Sequence, residues 1–153
     1  MSWFTISDPK SIIDRENNKI HLRDFKYPKK GYKEFVVFDD VIVINELKRK
    51  GVVSETIEIS QISEIELPFK RIELSNNLAL WGNVPKLWRR GVVFKGIDIF
   101  VALAVVDHIV EQRQKSSLPA PILKISPVAL GLREELRNDE TLQASIKAKG
   151  VHF

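Results

Sequence analysis

The sequence contains no cysteine, which removes disulfides, thiolate nucleophiles and zinc sites built on Cys pairs together. Its absence fits a reducing compartment. Only three histidines are present, His21, His108 and His152, and none stands at the spacing of a metal-binding pair. No long apolar run occurs: the longest, Ile99 to Val106, is far short of the roughly 20 residues needed to cross a bilayer as a helix. The opening MSWFTISDPK lacks a basic region followed by an apolar one, so no secretory leader is expected. A cytoplasmic protein follows as the expectation. The phosphate-loop, dinucleotide-loop and nucleophile-elbow strings are missing as well.

What is present is the material of an ordinary core. Hydrophobic residues make up 44% and charged residues 29% of 153 positions, which suits one folded domain rather than a disordered chain. Residues 1–153 are read as a single domain with a strand-rich part over 1–96, a helical part over 97–149 and a frayed tail over 150–153. The net charge of +4 is unevenly placed: residues 1–96 hold 17 Lys+Arg against 13 Asp+Glu, and the remainder holds 7 against 7. The excess therefore lies in the strand-rich part and biases it toward anionic partners.

The expected fold is α+β: a small antiparallel β-sheet or barrel over about 2–95, one buried helix over about 97–115 and C-terminal helices over about 127–149. The clearest hairpin is Glu34–Phe38, turning at Asp39-Asp40 into Val41–Asn45, because both arms are rich in β-branched residues and Asp favours turns. Lys48-Arg49-Lys50 is read as part of a charged linker. Glu55, Glu58, Glu64, Glu66 and Glu73 alternate with Ile and Leu, which predicts the wet face of a sheet. Pro68 interrupts that pattern. From Ile97 to Lys115, apolar positions recur at helical spacing, and Ser126-Pro127 carries helix-start chemistry.

No catalytic constellation emerges. Asp107 and His108 are adjacent, and neighbours on a helix do not face each other. Asp39-Asp40 offers two carboxylates for a metal, but reads first as a turn. A non-enzymatic binding module without cofactor is expected.

Two segments carry the binding signal. The first holds Phe25, Lys26, Tyr27, Lys29, Lys30, Tyr32 and Lys33 with no acid among them. Rings offer faces on which bases stack while lysines neutralise phosphates, the combination used by single-strand binders. The second holds Trp81, Lys86, Trp88, Arg89 and Arg90 in a stretch broken by Gly82, Pro85 and Gly91. If the two share a face, the result is a basic, aromatic strip like that of an OB-type barrel. The leading expectation is single-stranded nucleic-acid binding with low sequence specificity. The alternatives are a PH-like module for a protein or anionic lipid, and a self-associating structural protein.

Overall fold

The computed structural model describes residues 3–7, 9–14, 19–24, 28–68, 76–83, 89–97 and 99–138. Ten strands and two helices form an α+β fold in the order β1 (Trp3–Ser7), β2 (Pro9–Asp14), β3 (Lys19–Asp24), β4 (Lys33–Val37), β5 (Val41–Lys48), β6 (Gly51–Glu58), β7 (Ile62–Leu67), β8 (Asn76–Asn83), β9 (Arg89–Ile97), α1 (Ile99–Lys115), β10 (Ile122–Ile125) and α2 (Pro127–Asn138). A single 3₁₀ turn, Ile59–Gln61, links β6 to β7.

The strands make two five-stranded sheets rather than one antiparallel sheet or closed barrel. One is a plain antiparallel meander, β2-β3-β4-β5-β6; the other runs β1-β9-β8-β7-β10. This second sheet is mixed, since β1 lies parallel to β9 and β10 parallel to β7. Parallel neighbours come from distant sequence, so local alternation gives no notice of them.

The hairpin at Asp39-Asp40 forms as expected, with Val37 opposite Ile42 and Phe38 N–H donating to the Val41 carbonyl at 2.9 Å. The expected charged linker after Asn45 is instead a second hairpin. β5 continues to Lys48, turns through Arg49-Lys50, and pairs back without interruption from Lys48↔Gly51 to Val41↔Glu58. Gly51, at φ +122°, takes the backbone position that a side chain resists.

Alternate residues of both sheets meet in one core. From the meander come Phe35, Val37, Ile42 and Ile44; from the mixed sheet come Ile65, Leu67, Leu80 and Phe94. Phe35 and Phe94 join the two sheets edge to face, with centroids 4.9 Å apart at 67°, a favoured aromatic geometry. Helix α1 is buried from Val101 through Val106 and again at Ile109, as its broad apolar face demands.

Two side chains fix α1 at one end of the meander, and a third ties it to α2. His108 Nε2 lies 2.7 Å from the Phe38 carbonyl oxygen, the geometry of a ring N–H donating to it. Buried Arg113 donates to the carbonyls of Pro119, Ile59 and Ser60 at 2.9, 3.3 and 2.7 Å. Asp107 pairs with Arg133 of α2 at 2.5 Å, so Asp107 and His108 do face different partners. The helix closes in a Schellman arrangement: Leu118 N–H bonds to Arg113 O and Ser117 N–H to Gln114 O, at 2.9 and 3.0 Å. Ser117, at φ +56°, holds the left-handed position usually given to glycine.

Ser126 caps α2 as its sequence predicts, with its Oγ accepting from Ala129 N–H at 3.3 Å. The part of the expected C-terminal helices beyond Asn138, and the tail over 150–153, lie outside the described residues.

Candidate nucleic-acid interface

At the end of the meander away from α1, two turns meet. The β3–β4 turn is closed by Tyr32 N–H donating to Lys29 O at 3.1 Å, and its Gly31 N–H donates to Leu47 O at 2.8 Å. Leu47 immediately precedes the Lys48-Arg49-Lys50 tip. Lys29 and Lys30 therefore stand beside Lys48, Arg49 and Lys50, and all five are exposed. Lys33, half-buried, pairs in register with Glu46, whose carboxylate lies 3.8 Å from Lys48 Nζ. Tyr32 is half-buried at the base of the turn. The spacing of two hairpins, rather than any motif, produces this cluster of cations.

One row deeper, a polar line crosses four strands in exact register: Arg23↔Glu34, Glu34↔Asn45 and Asn45↔Ser54. Arg23 donates to Glu34 Oε2 from Nε and an Nη at 3.0 and 2.6 Å, and Asn45 donates to Oε1 at 3.0 Å. Ser54 Oγ donates to Asn45 Oδ1 at 2.6 Å, and His21 Nε2 lies 2.7 Å from Glu34 Oε2. Burial pushes the Glu34 carboxyl up, but the bonds from Asn45, His21 and Arg23 outweigh it and hold the group below its ordinary value. Glu34 is thus a paired anion that ties β3, β4 and β5 together beneath the cationic turns.

The second aromatic-basic segment lies elsewhere. Gly82 packs so close to the 3₁₀ turn that a Cβ there would stand 2.7 Å from Gln61 O. Ile59 in that turn donates to Asp40 O at 2.9 Å. The end of β8 at Gly82 therefore sits at the α1 end of the meander. From Val41 to Lys48 the strand climbs about 23 Å at 3.3 Å per residue, so Arg89 and Arg90, which open β9 beside Asn83 and Gly82, are not neighbours of the lysine turns. Trp81 is half-buried, and its ring covers Gly91: a Cβ on Gly91 would fall 2.3 Å from the ring. Its placement is that of a packing residue. Phe25, Lys26, Tyr27, Lys86 and Trp88 lie outside the described residues, as do the side chains of Arg89 and Arg90.

The carboxylate series needs one correction. Glu58 is exposed and Glu55 and Glu66 half-exposed, but Glu64 is buried at 6% and pairs with Lys124 at 2.9 Å. β10, lying parallel along β7, brings that lysine across; alternation identifies a face but not what later covers it. Asp39 and Asp40 form the exposed hairpin turn. Between the sheets, Ile42, Ile57, Leu80 and Val92 line a cavity of about 20 Å³, room for one water. Among the described residues no group of His, Asp and Glu is placed to hold a metal ion, and no helix is long and apolar enough to cross a membrane. Comparison with protein families, with curated proteins and with solved structures finds no match to this chain.

Proposed function

We propose that this chain is a nucleic-acid-binding module that grips the sugar–phosphate backbone at the lysine-rich end of the meander. The observation that carries the reading is the Gly31–Leu47 bond, which sets Lys29 and Lys30 beside Lys48, Arg49 and Lys50. Five exposed cations on two adjacent hairpin tips fit a string of phosphates, and their release of counterions supplies affinity without reading sequence. Lysine acts as a point charge on a flexible stem, which supports tolerance of sequence rather than base selection. Phe25, Tyr27 and Tyr32, in the same segment, are the rings available for stacking single-stranded bases. Binding rather than catalysis is the activity, and a cytoplasmic setting belongs to the same reading.

Labelled single-stranded DNA, duplex DNA and RNA, titrated at low and moderate salt, test the reading. Salt-sensitive binding, strongest for a single strand and weakened by Lys29→Ala/Lys30→Ala, is expected. Binding to anionic vesicles with none to any nucleic acid would overturn it and assign the same cations to lipid headgroups.

A further inference from the structure

The β6 edge is unlike the other sheet edge whose side chains are described. β10 is blunt: it is four residues long, carries Lys124 and follows Pro119 and Pro121. Short strands, lysine and proline are the usual protections of a sheet edge. β6 has none of them. Its eight residues, GVVSETIE, pair with β5 in unbroken register, and among the described residues it has a neighbour on one side only. Val52 and Val53 are 56% and 50% exposed.

The direction of its backbone groups follows from the neighbouring bonds. Leu47 O accepts from Gly31, so the N–H and C=O of Leu47 point toward β4. Its partner across the hairpin, Val52, therefore turns its own N–H and C=O away from β5. By alternation Ser54, Thr56 and Glu58 do the same, so among the described residues four residues present donors and acceptors along this edge.

We infer that β6 is a self-association edge, pairing antiparallel with β6 of a second copy about a two-fold axis at Ser54. Two-fold pairing must place outward-facing residues opposite one another, which limits the register. Centring on Ser54 sets Val52 opposite Thr56 of the other copy, Ser54 opposite itself, and Lys50 opposite Glu58 at both ends. The meander has opposite charge at its two ends: Lys48-Arg49-Lys50 at one, and Glu58 with Asp39-Asp40 at the other. An antiparallel pair joins the basic end of one copy to the acidic end of the next. Shifting the axis to Glu55 opposes two glutamates and loses the Lys50–Glu58 match, a penalty for like charges across strands. The product is a closed dimer with a ten-stranded sheet, isologous as two-fold interfaces must be. Lys29, Lys30, Lys48 and Arg49 stay outside these pairings, and Lys50 is the one cation of the basic end that the dimer shares.

Sedimentation equilibrium of the full chain tests this. The mass is expected to rise with concentration from 17.6 kDa toward twice that value and no further. Glu58→Lys, which opposes two lysines, is expected to return the monomer, and Lys50→Glu with Glu58→Lys to restore the dimer. Ser54→Pro removes an outward N–H and no backbone bond to β5, only the exposed hydroxyl bond to Asn45, and is expected to abolish association while retaining the circular dichroism of the fold. A monomer at every concentration, a mass beyond the dimer, or a dimer indifferent to both Glu58→Lys and Ser54→Pro would overturn the inference.

Discussion

The backbone N–H of Gly31 donates to the carbonyl oxygen of Leu47 at 2.8 Å, and through that bond two lysine turns from separate hairpins become one cationic end. Five like charges in proximity repel one another, so the arrangement needs a rigid base. The Glu34 network provides it one row below, where a buried carboxylate is held by Arg23, His21 and Asn45. The cationic turns therefore spring from strands that this network ties together.

Glu34 is expected to make stability depend on acid pH. Its folded carboxyl is held below the ordinary value of 4.5, so its contribution is complete above about pH 4.5 and is lost as pH falls through the folded value. Glu34→Gln should lower stability by about 1–3 kcal/mol at neutral pH, because Arg23 loses its anion. The same variant should flatten the acid limb of a urea-midpoint profile measured between pH 3 and pH 7, a window of roughly the usual carboxylate range. An unchanged acid limb would show that other carboxylates govern it.

Gly91 is expected to be intolerant of any side chain. Because a Cβ there meets the Trp81 ring at 2.3 Å, Gly91→Ala must displace a large planar group, at a cost of about 1–3 kcal/mol. Denaturation midpoints of Gly91→Ala and of Gly91→Ala/Trp81→Leu compare the two effects. Partial recovery in the double variant is the expected result, since the smaller side chain makes room.

Ser117 offers the opposite case, a position where the natural residue is not the best one. It holds φ +56° at the end of α1, with its side chain exposed. Ser117→Gly should raise stability by about 0.5–1 kcal/mol by removing the left-handed penalty, and Ser117→Ala should not. Thermal or urea unfolding of the two variants checks the sign.

Local chemistry made the individual elements legible and left their assembly hidden. The Asp39-Asp40 hairpin, the run from Ile99 into α1 and the Ser126 cap each rest on signals within a few residues, and each forms where the sequence places it. The parallel joining of β10 to β7 has no local signature, so the burial of Glu64 under Lys124 could not be read from alternation. Lys48-Arg49-Lys50 resembled a linker because a two-residue turn without Gly or Asn is a weak hairpin signal. The two aromatic-basic segments are equally visible in the sequence, yet only strand pairing shows that Lys29 and Lys30 of the first join a basic cluster while Arg89 and Arg90 of the second open β9 at the far end.

The central claim is that the lysine turns act together as a phosphate site, and fluorescence anisotropy of a labelled single strand at about 50 and 200 mM salt tests it most directly. With about five phosphates contacted, affinity should fall about 100-fold between those conditions. Lys29→Ala/Lys30→Ala and Lys48→Ala/Arg49→Ala should each weaken binding and each lower the salt slope by about 0.7 per lost contact, while Arg89→Ala/Arg90→Ala should leave both unchanged. Binding that survives both lysine-turn variants, or that is lost only with Arg89 and Arg90, would contradict the account.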